Sequence, residues 1–329
     1  MKVYIDPSSD ILYSSYYIEG LEQFFGKKNT KFSNRYFKGF SHNNHFFAFV
    51  IEKGDTIRKI AVDFSDSENA NEEALTWCDT YAKVNVSTKD YSFPEKILPI
   101  GPSFGIQLYS LFQTGIVAFS NFLKAKNRIP NKRKFFSDYK AQLNRMKLDE
   151  YYPNNNLDSY VFFASSLWKK EKKTNDFRAN FIKACIENKD IDFEGGFAPR
   201  RIKDVPGYDE ITVTTRYSIA EYIANMKKST ITFNTPAVLD CHGWKLGEFL
   251  CFGKAIISTP LSRKLPEDLV DGKHLLVTDG SQGDIQEKIK NIISSPELLT
   301  ELKNNARNYF EEVLSPKKVI ERISTFTFS

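Results

Sequence analysis

"TITFNTPAVLDCHGWKLGEFLCFGKAIIST", Thr230 to Thr259, holds the plan of the second half of the chain. "TITFNTPA" reads as a strand, "WKLGEFLCFG" as a helix stopped at Gly253, and "KAIIST" as the next strand. The same alternation extends outward on both sides. "YVFFASS" is a strand, "DFRANFIKACIEN" a helix, and "IDFEGG" a strand ending in two glycines. "EITVTT" and "HLLVTD" read as strands and "SIAEYIANMKKS" as a helix. Strands and helices in this order make a parallel sheet wrapped by helices, with ligand loops at the strand C-termini.

The first half mixes its elements. "KVYID" reads as a strand, followed by the turn "PSSD" and the helix "ILYSSYYIEGLEQFFG" ending at Gly26. "FFAFVIEKGDTIRKIAVDFSDS" gives two strands around a Gly-Asp turn, a hairpin or an edge pair. "NEEALTWCDTYAKVNVS" is a helix running into a strand, and "EKILPIGPSFG" a strand closed by Pro and Gly. The strand-loop-helix opening points to a Rossmann-like sheet here too. "YYPNNNLDS", Tyr151 to Ser159, is the linker between halves, and the helical tail beyond Pro296 is expected to pack back across the first half.

With 329 residues the chain can bury two cores, and its 41% hydrophobic and 26% charged residues are ordinary for a globular protein. A net charge of +5 is too mild for a typical nucleic-acid binder and fits phosphate-bearing ligands or an anionic membrane surface. Cys78, Cys185, Cys241 and Cys251 form no C-x-x-C, and the N-terminus lacks a signal-peptide pattern, so a cytoplasmic protein is expected. No apolar run is long enough to span a bilayer.

Within the opening stretch, Gly243 and Trp244 begin a helix whose first N–H groups have no intrahelical partners, an anion site in the making. Lys245 sits in that first turn, where the helix dipole disfavours a cation unless an anion is bound. Glu248 lies three residues on and shares its face, placed to accept hydrogen bonds from ribose hydroxyls. The plainer alternative is a surface Lys-Glu pair with Asp240 as a turn residue.

Asp240 and Glu248, seven residues apart, resemble the E-x7-E region of GT-B glycosyltransferases of the kind in families 1 and 4, with Asp in place of the first Glu. "GEFLCFGKAIIST" resembles the same family's segment around its second acid, and the likeness runs from Tyr160 to about Thr278. The resemblance implies an α/β GT-B fold: two Rossmann-like domains facing a cleft, with a C-terminal helix returning to the first. Residues 1–155 would bind acceptor, 156–310 would bind donor, and 311–329 would form that helix. Glu248 is implied to hold the ribose and Asp240 the donor sugar, with His242 and Gly243 offering backbone amides. Ser166 stands where the family has Arg, leaving Lys169 or a neighbouring Lys to meet phosphate. Gly195 and Gly196 match a close-approach element, and Arg216 and Tyr217 the base-contacting turn.

The implied reaction is metal-independent glycosyl transfer, with no cofactor, from a nucleoside-diphosphate sugar to a glycan or lipid-linked hydroxyl, in building a cell-surface polysaccharide. Asp6, His42 and His45 are candidates for the catalytic base. "DID", Asp190 to Asp192, matches a metal-binding D-x-D only weakly. The basic run Lys124 to Lys134, after an apolar helix, is either a solvated face or a dock for an anionic membrane at the cytoplasmic side. A non-catalytic GT-B-like subunit that binds a glycan or partner, and a sugar-nucleotide epimerase, are the alternative functions.

Overall fold

The computed structural model describes residues 1–40, 46–89, 94–153, 159–202 and 204–329. His42, His45 and residues 154–158 of the linker lie outside them. In the first half, strands β1 (Lys2–Ile5), β2 (Thr30–Phe32), β3 (Phe46–Lys53), β4 (Thr56–Asp63), β5 (Thr80–Lys83), β6 (Val86–Ser87) and β7 (Ile97–Pro99) accompany helices α1 (Ile11–Phe25), α2 (Glu72–Trp77), α3 (Leu111–Ala125) and α4 (Lys132–Leu143). The second half carries β8 (Tyr160–Ser165), β9 (Asp192–Phe197), β10 (Ile231–Asn234), β11 (Ala255–Ser258), β12 (Arg263–Lys264) and β13 (Leu276–Val277). Its helices are α5 (Lys172–Glu187), α6 (Ile219–Lys228), α7 (Trp244–Cys251), α8 (Gln282–Ser294), α9 (Pro296–Tyr309) and α10 (Pro316–Phe328). Met1–Leu148, Arg263–Glu267 and Glu312–Ser329 form one compact unit; Asp149–Ser262 and Asp268–Glu311 form the other. The chain is α/β with two Rossmann-like units.

In the first unit the sheet runs β2-β1-β3-β4-β5-β7, with only β3 antiparallel to its neighbours. The β3–β4 hairpin is central rather than at an edge, and turns at Gly54, whose φ of 60° suits a two-residue loop. Asp10 caps α1, accepting the N–H groups of Leu12 and Tyr13. The final helix α10 packs on α1 within this unit, and the Tyr16 hydroxyl donates to the Leu314 carbonyl just before it. At the ends of β4 and β5, Lys83 meets Asp63 at 2.6 Å and the Tyr81 hydroxyl donates to the same carboxylate at 2.7 Å. All three side chains are buried, so removing Lys83 or Asp63 would leave the other's charge uncompensated, at a cost of about 3–5 kcal/mol.

The second unit is built on parallel ladders, β8-β9 and β10-β11-β13. β8 and β10 start side by side, where Thr230 N–H donates to the Tyr160 carbonyl at 2.8 Å. The core is aromatic and branched: Phe163, Phe181, Phe233, Ile182, Ile257, Ile285 and Ile289 are all buried in it. Phe181 and Phe233 stack with centroids 4.7 Å apart.

Two expected strands are shorter than their pattern. "EITVTT" gives a 3-10 turn, Asp209–Ile211, and a single bridge from Thr212 to Phe197. The Thr212 hydroxyl donates to the Tyr208 carbonyl at 2.7 Å, so a local bond replaces the ladder that β-branched residues would favour. "HLLVTD" is reduced to Leu276–Val277, where the Val277 N–H is taken by the Asp271 carboxylate at 2.8 Å.

Gly195 fixes how β9 lies on β8. Its φ is 127°, and a Cβ there would stand 1.9 Å from the Phe163 carbonyl oxygen. Gly207 also has a positive φ, 92°, but nothing lies within 4 Å of its Cβ position. Gly195→Ala is expected to lower unfolding stability by about 3 kcal/mol or more, and Gly207→Ala by about 1–2 kcal/mol, in urea titrations. Equal losses would show that backbone conformation alone, and not the approach to β8, makes Gly195 necessary.

Candidate functional site

The chain places β8 between β9 and β10, so the strand order reverses at β8 and β10. Loops leaving two such strands diverge to opposite sides of a sheet and open a crevice between them. Residues from both loops converge here. Ala164 and Ser166 close β8, Thr235 follows β10, and α7 begins eight residues beyond Pro236.

Lys245, in the first turn of α7, donates to the Ala164 carbonyl. Its ammonium lies 5.2 Å from the Phe163 ring centre and 5.7 Å from that of Tyr222. Burial lowers its pKa to about 7, the nearby Arg178 guanidinium pushes the same way, and Glu248 opposes both. Arg178 is itself buried, in the second turn of α5. It donates to the Thr235 hydroxyl at 3.0 Å and to the Ser166 carbonyl at 3.2 Å, and burial brings its pKa down to about 10. Glu248, one turn along α7 and also buried, accepts from the Tyr222 hydroxyl at 3.1 Å. This end of the sheet thus holds a buried and a half-buried cation and one buried carboxylate. Arg178 is the residue that motif reading overlooked. Its signal was present: it falls on the stripe Thr174, Arg178, Ile182, Cys185, which periodicity turns toward the core.

The other sequence-predicted residues fall in three places. Gly243 is the N-cap of α7, without a side-chain capping bond, and His242 before it is buried. Ser166 is exposed and joins the cluster through its carbonyl alone. Tyr217 packs edge-on against Phe162 with centroids 5.0 Å apart, and burial followed by Glu194 pushes its hydroxyl up to about 12. Lys169 is exposed with its ammonium 3.9 Å from Asp204, and Arg216 donates to the Pro199 carbonyl at 3.3 Å. Asp240 is exposed, with its carbonyl accepting the Ser262 hydroxyl. Gly195 and Gly196 approach protein backbone, Phe163 and Ile211 respectively. Asp6 belongs to the first unit, fully buried; its carboxylate accepts the Ser8 N–H at 2.9 Å and pairs with Arg128. His45 lies outside the described residues. Among the described residues no group of three His, Cys, Asp or Glu side chains is placed to hold a metal ion, and the four cysteines are buried and free.

No protein-family model matches the chain, and no curated protein matches it. Solved structures do resemble it. The C-terminal domain of a group 1 family glycosyl transferase from Francisella tularensis is 17% identical over 50% of this chain and 95% of that one, with a TM-score of 0.36. A glycosyltransferase from Rickettsia africae is 11% identical over 76% of this chain and 63% of its own, at 0.45. A UDP-GlcNAc 2-epimerase from Neisseria meningitidis, bound to UDP-GlcNAc, is 12% identical over 77% of this chain and 63% of its own, at 0.41. The chain therefore spans less than two thirds of the length of the latter two.

Proposed function

We propose that the chain is a GT-B glycosyltransferase, moving a sugar from a nucleoside diphosphate to a hydroxyl acceptor. The observation that carries this reading is the pair Arg178 and Lys245, one cation buried and one half-buried, whose charges repel each other at the strand reversal. One carboxylate does not balance them, and a diphosphate would. In transfer, the bond from the anomeric carbon to the diphosphate oxygen breaks and a bond to the acceptor oxygen forms. The two cations would stabilise the charge that grows on the leaving group, and the acceptor proton would pass to a base.

Glu248 would accept from the ribose hydroxyls, Asp240 would meet the donor sugar, and the His242–Gly243 backbone would face sugar and phosphate. Ser166 and Lys169 would border the phosphates, and Arg216 and Tyr217 the base. The acceptor base is drawn from Asp6 and His45, and Asp6 can serve only if Arg128 moves off its carboxylate. With charge stabilisation supplied by side chains, no metal or other cofactor is required. The acceptor is a glycan or lipid carrier of a cell-surface polysaccharide, reached from the cytoplasmic side.

Of UDP, GDP, dTDP and CMP, at least one is expected to raise the melting temperature of the protein. Against that nucleotide, Glu248→Ala should lose about 1.5–3 kcal/mol of calorimetric affinity, as for a hydrogen bond to a charged group. Unchanged affinity would remove the ribose assignment, and no shift with any of the four would remove the nucleotide.

The depressed pKa of Lys245 fixes the sign of the pH dependence. The diphosphate selects the ammonium form, which is increasingly lost above about pH 7. Binding at pH 8 should therefore take up a proton, seen as a buffer-dependent calorimetric enthalpy. Affinity should fall by at most about 1.4 kcal/mol per pH unit from 7 upward. Lys245→Met should abolish both effects; if the slope persists in that variant, another group titrates. Transfer activity should also survive EDTA, whereas a complete loss reversed by Mg²⁺ would assign the leaving-group role to a metal.

A further inference from the structure

Helix α3 is built inside out. Its buried face carries Thr114, Ala118, Asn121 and Ala125, small or polar residues at steps of four, three and four. Its outer face carries Phe112, Ile116, Phe119 and Leu123 at the same steps, exposed by 78%, 55%, 61% and 54%. Scattered exposed apolar residues need no account, but four on one helical face form a contact surface. The surface continues onto α4, where the exposed Phe136 packs on Phe122 with centroids 5.3 Å apart.

Along the sequence, the charges flanking the stripe are of one sign. From Lys96 to Ser137 the sequence contains no Asp or Glu. Two cations of the basic run serve the first unit itself: Arg128 pairs with Asp6, and Lys134 meets Asp10 at 2.8 Å and Asp138 at 2.6 Å. Lys124, Lys126, Lys132 and Arg133 remain exposed beside the C-terminal end of α3. The ammonium of Lys132 stands 5.9 Å from the centre of the Phe122 ring, so cation and stripe are contiguous. Long basic side chains at the border of an apolar face lay their stems on it and hold their charges outward.

We propose that α3 lies flat on an anionic lipid bilayer. Phe112, Ile116, Phe119 and Leu123 would enter the acyl boundary, and Lys124, Lys126, Lys132 and Arg133 would meet headgroup phosphates. At 15 residues the helix is about 22 Å long, which suits lying in the interface and is too short to cross it. A second copy of the chain, meeting this face with its own α3, would complement the stripe but not the cations, because neither α3 nor the segment joining it to α4 carries an acid to receive them. An anionic leaflet complements both. The inference does not depend on glycosyl transfer, since it uses no residue of the nucleotide crevice.

The test is sedimentation with phosphatidylcholine vesicles, with and without about 30% phosphatidylglycerol, at low and high salt. The protein is expected to pellet with the anionic vesicles and to be released by salt. Lys132→Ser/Arg133→Ser should weaken binding about 30-fold. Phe112→Ser/Phe119→Ser should weaken it at least about 10-fold at both salt concentrations. These four residues are exposed, so both variants should keep the wild-type melting temperature and its shift with nucleotide. Failure of the wild type to pellet with anionic vesicles overturns the proposal, as does undiminished binding by the Phe112→Ser/Phe119→Ser variant. A concentration-dependent dimer in light scattering, lost in that same variant, would instead give the face to a second copy.

Discussion

Two like charges held at one place, Arg178 buried and Lys245 half-buried, are the constraint around which the second unit is arranged. They gain nothing for stability by lying near each other, and the buried Arg178 loses hydration worth several kcal/mol. What solvates them is fixed protein: the carbonyls of Ala164 and Ser166, the Thr235 hydroxyl, the Phe163 and Tyr222 rings, and Glu248. The carbonyls and the hydroxyl stay oriented because they end β8 and β10, the Tyr222 ring and Glu248 because they stand on α6 and α7, and the strands are held by the aromatic core beneath. Phe163 shows the coupling directly. It packs against Phe181 with centroids 5.2 Å apart while facing the Lys245 ammonium, so core and crevice share a side chain.

The first unit treats buried charge in the opposite way. Its three buried carboxylates among the described residues, Asp6, Asp10 and Asp63, each have a cation: Arg128, Lys134 and Lys83. Paired charges of this kind fix geometry and leave little field for a ligand. The contrast decides which unit is read as the anion site. It also divides the basic run, because two of its members neutralise internal acids and only the rest can act outward.

The sequence made periodic features legible. The α7 start, the β-α alternation of the second unit and the β3–β4 hairpin all follow from spacing, Gly placement and turn chemistry. What escaped depends on competition or direction. "EITVTT" has a strand's composition, but a Thr hydroxyl satisfied locally removes the incentive to extend. Arg178 lies on the core-facing stripe of α5, where helical periodicity alone marks a helix and only the cation on that stripe is the anomaly. Helix α3 shows the limit of periodicity: its spacing defines two faces, and only the packing of Thr114, Ala118 and Asn121 reveals that the apolar one points outward.

Asp240 is the residue where motif and backbone meet. Leu239 and Asp240 have φ of 56° and 57°, two successive left-handed residues in the turn that delivers the chain to α7. The turn is held from both ends, by the Ala237 N–H to the Cys241 carbonyl at 2.9 Å and by the Ser262 hydroxyl to the Asp240 carbonyl. A left-handed residue with a Cβ costs about 1–2 kcal/mol, and Asp is among the side chains that tolerate it best because its short carboxylate can satisfy nearby backbone. Glu, with one more methylene, is not favoured there in the same way. Asp at the first acidic position therefore has a conformational reason that precedes any chemical one. The strain sits in the turn that leads directly into Gly243, the N-cap of α7, and Lys245 in its first turn. Strained backbone is most often maintained at functional positions, so the unusual turn and the Arg178–Lys245 pair bear on the same end of the second unit.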